Sequence, residues 1–251
     1  MVRLSVRDFS VTIRDAALAL LYPQSCAVCG ANVESLADGA ACASCWEEAR
    51  IFSSRDVLCW KCGAVSDSAP PQRCKEDVRC RRCEGESFTA ARAVGAYEGA
   101  LRASVLALKR EAFVGKRLAY LLHEAISRPP LSDATLIIPV PLHAERERLR
   151  GFNQAAELGR VLSRLSRLPF DEFSLVRTAH TERHRALMDE RARRESVREA
   201  FQVRRPRLIE GERVLLVDDV YTTGATVSAC ATSLLSACAE DVYVLTLARS
   251  L

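Results

Sequence analysis

The stretch Val217-Asp218-Asp219-Val220-Tyr221-Thr222-Thr223-Gly224-Ala225-Thr226 is the most informative in the 251-residue chain. An apolar strand runs into two adjacent acids, a turn of small hydroxyl residues and the start of a helix. A helix N-terminus presents unpaired backbone N–H groups and the positive end of its peptide dipoles, and the hydroxyls of Thr222, Thr223 and Thr226 add donors. Gly224 lets the backbone approach a phosphate closely, while carboxylates at a strand's end can accept hydrogen bonds from sugar hydroxyls. The pattern reads as an anion cradle beside a sugar contact. An ordinary capped helix shares some of these features, but two adjacent acids followed by Thr-Thr-Gly-x-Thr exceed what capping needs.

A second chemistry is written in cysteine. Of eleven cysteines, eight form the pairs Cys26/Cys29, Cys42/Cys45, Cys59/Cys62 and Cys80/Cys83, two successive sets of four. Tetrahedral zinc takes four soft ligands, and each Cys-x-x-Cys knuckle supplies two. The segment has few large apolar residues, so metal binding would supply stability that a small core cannot. Redox dithiols and iron–sulfur clusters use the same ligands, but four regular pairs exceed what redox chemistry needs, and all-thiolate zinc sites are closed to substrate. Two structural zinc ions are therefore expected. Cys74 is either a spare thiol or a substitute in the second set, and which four bind stays open. Cys230 and Cys238 fall in an apolar helical pattern, where a buried free thiol is the expectation.

These groups need a scaffold. Cysteine density collapses after residue 84, which places a boundary at 84–92 between a small module over 22–84 and a larger domain over 93–251. Helical patterns are expected at 100–110 and 114–127, closed by Pro129 and Pro130. Strand and helix signals then alternate: a strand at Leu136–Val140, a helix at Asn153–Leu165, a strand at Phe173–Val176, a strand at Val214–Val217, a helix at Gly224–Cys238 and a strand at Val242–Leu247. Runs apolar on both faces, alternating with helices, predict an α/β fold with a parallel sheet covered on each side. Such a sheet needs no metal, so chelation is expected to spare the larger domain.

Apolar residues make up 49% of the chain and charged residues 27%, ordinary globular usage that excludes disordered and fibrous classes. The formal charge of +4 by itself supports no claim about nucleic acid. The apolar stretch Ala16–Leu21 is far shorter than the roughly 20 residues of a membrane-spanning helix. Charges at Arg3, Arg7, Asp8, Arg14 and Asp15 interrupt any export signal, so a cytoplasmic protein is expected.

The stretch Asp218–Thr226 closely resembles the signature of type I phosphoribosyltransferases. By that resemblance Asp218 and Asp219 are catalytic-site contacts to the ribose of phosphoribosyl pyrophosphate, and Thr222, Thr223, Gly224, Ala225 and Thr226 hold its 5′-phosphate. Tyr221 departs from the usual aliphatic residue. Pro139-Val140-Pro141-Leu142, Arg146 and Arg150-Gly151-Phe152-Asn153-Gln154, together with Tyr97-x-Gly99 and Lys109, resemble the ComF competence-protein family, which also carries a double zinc ribbon upstream. The resemblance implies that Val140 and Pro141 face pyrophosphate. Arg146 and Arg150 could contact phosphate or simply line a solvated helix face. Residues 178–200 correspond to the hood loop of these transferases, but Arg185, Met188, Arg193 and Ser196 stand where the family pattern has Gln, Leu, Arg and Asn.

Three functions follow from the resemblance. The first is magnesium-assisted phosphoribosyl transfer, which needs positioning and charge neutralisation rather than a nucleophile. The second is handling of single-stranded DNA beside other DNA-uptake proteins in natural transformation, for which the basic hood loop is suited and an aromatic content of 6% less so. The third is a non-catalytic regulator that senses a nucleotide on the same fold.

Overall fold

In the computed structural model, residues 24–35, 39–53, 56–66, 78–178 and 200–251 are described. Along the chain the strands are β1 (Ala90–Ala96), β2 (Leu136–Pro139), β3 (Leu175–Arg177), β4 (Phe201–Val203), β5 (Arg213–Tyr221) and β6 (Asp241–Arg249). The α-helices are α1 (Ala43–Glu47), α2 (Gly99–Leu108), α3 (Lys116–Ile126), α4 (Ala144–Arg150), α5 (Gln154–Ser166) and α6 (Ala225–Ser236). Among the described residues no helix is long and apolar enough to cross a membrane.

The apolar runs build a four-stranded, all-parallel sheet in the order β1-β6-β5-β2. The expected class, an α/β parallel sheet behind a small cysteine-knuckle module, is what the chain adopts. In β5, Val214, Leu215, Leu216 and Val217 are all fully buried because both faces of the strand are covered. Leu215 and Val217 enter a core layer with Leu101 and Leu108 of α2, Leu122 of α3 and Leu158 of α5. Val214 and Leu216 enter the opposite layer, with Val227, Cys230 and Leu234 of α6. Full burial of each such side chain contributes about 1.5–3 kcal/mol, so one charge at these positions would break the sheet.

The cysteine module is part of both layers. Cys26, Cys42, Cys45 and Trp46 belong to the first, and Cys59, Cys62 and Cys83 to the second. Between its two halves the chain runs along β1, where Phe52 N–H donates to Val94 O at 2.9 Å and Ala96 N–H to Arg50 O at 3.0 Å. This pairing covers an edge that would otherwise be open to other strands.

Three features depart from the sequence reading. Strand β1 was not anticipated, since Ala90-Ala91-Arg92-Ala93 has weak strand propensity; its small residues are required by close backbone neighbours. A Cβ on Gly95 would collide with Arg50 O and the Leu101 side chain. The strand expected at Phe173–Val176 does not join the parallel sheet. Pro169–Asp171 takes the edge of β2 instead, with Ile137 N–H donating to Pro169 O at 2.9 Å, and β3 pairs antiparallel with β4 as a separate ribbon. Finally, residues 144–150 form the exposed helix α4, capped by the His143 ring accepting from Glu145 N–H at 3.3 Å and ended by Gly151 at φ 83°.

Candidate functional site

Asp218 and Asp219 sit near the carboxyl end of β5, one strand away from the exit of β2. Pro139 lies opposite Val217, and Val140 N–H donates to Val217 O at 2.9 Å, so the Val140-Pro141 turn leaves the sheet beside the acids. Ligands of open α/β sheets bind at this carboxyl edge. Asp219 is buried and forms an ion pair with Lys109 at 3.2 Å, just beyond the end of α2. The Gln154 amide donates to the same Asp219 oxygen at 3.4 Å.

Asp218 accepts from the Asp219 backbone N–H at 2.8 Å. The residue as a whole is half-buried, yet its carboxyl is enclosed by protein. Burial first, and then the neighbouring Asp219 charge, push its pKa up to about 8, with Lys109 opposing. Lys109 pairs with Asp219, and a buried carboxyl raised in this way beside a second carboxyl is a pattern associated with functional sites.

After Tyr221 the chain turns through exposed Thr222 and Thr223 to Gly224, the N-cap of α6. Gly224 has φ 86°, a conformation open to glycine at little cost, and the Tyr221 hydroxyl occupies the space a Cβ would need. Ala225 N–H points to Thr223 Oγ1 at 3.4 Å. Thr226 is exposed on the first turn of α6 and Ala225 is half-buried. The hydroxyls and backbone amides of this turn can together receive an anion of phosphate size.

The Arg-Gly-Phe-Asn-Gln block divides its work. Asn153 caps α5 by accepting from Ala155 N–H at 3.0 Å, and its amide donates to Val140 O at 3.0 Å, tying the helix to the β2 turn. Gln154 reaches Asp219, and Arg150 donates to Gln154 Oε1. Arg146 is exposed on α4, while Arg150 is half-buried. A chain of contacts thus runs from Arg150 through Gln154 to Asp219 and Lys109. Its long-range members, Lys109 with Asp219 above all, leave no local spacing for sequence reasoning to use.

The cysteines fall into the two quartets. The sulfurs of Cys26, Cys29, Cys42 and Cys45 lie within 4.8 Å of one another, as do those of Cys59, Cys62, Cys80 and Cys83. Sulfur separations of 3.8 Å (Cys26–Cys45), 3.6 Å (Cys29–Cys42), 3.6 Å (Cys59–Cys83) and 3.5 Å (Cys62–Cys80) approach the tetrahedral edge of about 3.8 Å that 2.3 Å zinc–sulfur bonds give. Cys42 N–H donates to Cys26 Sγ and Cys80 N–H to Cys59 Sγ, each at 3.3 Å. Burial alone would raise the thiols of Cys26 and Cys59, but backbone donors outweigh it and bring each down to about 6. Donor number, spacing and thiolate character fit structural zinc at both quartets. Cys230 is fully buried as expected, whereas Cys238 is exposed beyond the end of α6. Cys74, the apolar stretch Ala16–Leu21 and residues 179–199 of the expected hood loop lie outside the described residues.

A family described as a double zinc ribbon domain matches residues 17–84. The DNA utilization protein YhgH of Escherichia coli O157:H7 is 39% identical over 115 residues, 46% of this chain and 49% of that protein, so the match spans about half of that relative's length. The protein of the same name from Salmonella typhi is 30% identical over 244 residues, 92% of this chain and 100% of that protein. Competence protein F of Haemophilus influenzae is 36% identical over 136 residues, 53% of this chain and 59% of that protein. Among solved structures, the glutamine phosphoribosylpyrophosphate amidotransferase of B. subtilis is similar over 51% of this chain and 26% of its own, at 18% identity and a TM-score of 0.36.

Proposed function

The chain belongs to the ComF-like competence-protein family, and from that premise we propose that its Asp218–Thr226 turn binds phosphoribosyl pyrophosphate or a related nucleotide. The observation that carries this reading is the convergence on one sheet edge of Lys109, Gln154, the two acids and a positive-φ Gly224 at the start of α6. In this reading the acids accept from ribose hydroxyls, with Lys109 and Gln154 fixing the Asp219 carboxylate. The turn amides and the hydroxyls of Thr222, Thr223 and Thr226 hold the 5′-phosphate, and Val140-Pro141 lines the pyrophosphate side with Arg146 at its rim. Carboxylate oxygens suit a hard dication such as magnesium, which would neutralise pyrophosphate charge when bound. The metal-organised module over 22–84 supports the domain over 93–251 rather than taking part in the chemistry. Transfer to an acceptor is the activity such a site serves.

A second reading, handling of single-stranded DNA during uptake, draws on the names of the relatives and on an arginine stacked on Trp60. Arg79 lies 4.6 Å from the centre of that half-buried ring, and Arg81 and Arg82 follow. Calorimetric titration of the parent protein with phosphoribosyl pyrophosphate, with and without Mg²⁺, beside a single-stranded oligonucleotide separates the two. Mg²⁺-dependent heat with the small ligand is the expected result. Binding of the oligonucleotide alone would replace the first reading with the second.

A further inference from the structure

The second quartet is joined to the phosphate turn by two side chains that neither the metal site nor the turn requires. Arg249, the last residue of β6, donates from Nη1 to Cys62 O, and its Nη2 lies 3.8 Å from Cys62 Sγ. Its guanidinium carbon is 4.4 Å from the centre of the Tyr221 ring. Tyr221 is held from another side by Phe88, edge to face at 6.2 Å, and its hydroxyl fills the space over Gly224. The knuckle that carries Cys62 is itself pinned to the sheet: Ala91 N–H donates to Lys61 O at 2.6 Å, and Gly63 packs so closely on Ala91 O that a Cβ would meet it at 2.6 Å. The first quartet has a different neighbourhood, in the opposite core layer, with Arg117 at 5.8 Å from the Trp46 ring.

We infer that Arg249 and Tyr221 are positioning residues that couple the second cysteine quartet, and not the first, to the conformation of the Thr222–Thr226 turn. Four thiolates around one zinc ion carry net negative charge, which a guanidinium beside Cys62 offsets. With the metal in place the Cys62 knuckle is fixed, Arg249 is fixed by it, and the ring stacked under Arg249 is held over Gly224. Without the metal the knuckle loses its closure, and the stack that braces the turn loses one side. The signature's usual aliphatic residue at this position could neither stack under a guanidinium nor reach Gly224 with a hydroxyl. The inference rests on the proposed reading for its consequence, phosphate affinity, but not for the coupling itself.

The test is hydrogen exchange of the full chain, read on peptides covering Thr222–Ala229, where Ser228 N–H bonds Gly224 O at 2.9 Å, with zinc content measured on each sample. Arg249→Met should retain two zinc ions yet speed exchange in this segment roughly tenfold, the scale of ordinary coupling between sites. Arg249→Lys, which restores charge and a donor, should recover part of the protection. Cys80→Ser should speed the same peptides, and Cys29→Ser should leave them unchanged. In a Tyr221→Leu background, Arg249→Met should have no further effect, which separates coupling from general destabilisation. Unchanged exchange in Arg249→Met and Cys80→Ser overturns the inference, as does an equal effect from Cys29→Ser. Phosphoribosyl pyrophosphate with Mg²⁺, added to the same samples, reports on the ligand separately. Failure of the parent to be protected by it would count against the proposed function while the exchange pattern still decides the coupling.

Discussion

The two cysteine quartets share a motif, a sulfur spacing and the same backbone N–H···S support, yet they rest on opposite faces of one sheet. The first sits with Trp46 over α2 and α3. The second sits beside Tyr221 and α6, within reach of the candidate ligand site through Arg249. Chemically equivalent metal sites therefore differ in consequence because of the core layer each one completes. The cysteine module is also less separable than its composition suggests, since each half lends buried side chains to the α/β domain.

The harshest test of that comparison is removal of both metals. Small finger peptides gain about 10–16 kcal/mol from zinc, and here the knuckles carry Trp46 and Cys42 into one core and Cys59 and Cys62 into the other. Two zinc ions per chain are expected by metal analysis, and chelation should lower the thermal midpoint of the α/β domain as well as unfolding the module. An α/β transition unmoved by chelation would restore the simpler expectation that the sheet is indifferent to metal.

Substitution on the two halves gives the next largest effect. Trp46 is 2% exposed, so Trp46→Ala should cost about 3–5 kcal/mol in denaturant unfolding. Its indole N–H has no hydrogen-bond partner among the described residues, so Trp46→Phe forfeits no bond and should cost far less. Trp60 is half-buried and stacks with Arg79, so Trp60→Ala should cost only about 1–2 kcal/mol. Equal losses at the two tryptophans would show that the halves contribute alike.

At the candidate ligand site, Asp219→Asn removes the charge that holds Lys109. The pair is partly buried, and its loss should cost about 1–3 kcal/mol by thermal unfolding while weakening ligand binding. The effect expected at Asp218 differs from the others in depending on pH. Its folded value of about 8 lies above the ordinary 3.8, so the folded state holds this proton more tightly than the unfolded chain does. The resulting stability is fully present below the ordinary value and is lost as pH rises toward about 8. Asp218→Asn, which cannot ionise, should therefore raise the thermal midpoint at pH 8.5 and scarcely change it at pH 4. A gain independent of pH would place the cause elsewhere.

Much of this arrangement is legible in the sequence. The Val214–Val217 run, the Thr-Thr-Gly turn and the four knuckles each carry their signal within a few residues, and a strand, a turn into a helix and two clusters of four sulfurs form there. What escapes is long-range or defined by a neighbour. Ala90–Ala96 becomes a strand because β6 on one side and Arg50–Phe52 on the other supply its partners, not because of its own propensity. The Lys109–Asp219 pair joins residues far apart in sequence, and nothing near Arg249 announces its contact with Cys62. Arg150, legible as a basic residue, turns out to reach Asp219 through Gln154.

The central claim is that the turn after β5 is a working ribose-phosphate site. Gly224→Val tests it most directly, because a β-branched side chain is strained at φ 86° and collides with the Tyr221 hydroxyl, which would displace the turn whose amides are proposed to receive phosphate. The measurement is calorimetric titration of the parent and this variant with phosphoribosyl pyrophosphate and Mg²⁺, with zinc counted in both samples. The account predicts a parent that binds and a variant that holds two zinc ions but gives no heat of binding. A variant that binds as well as the parent would contradict it, and the turn would then be a helix cap and nothing more.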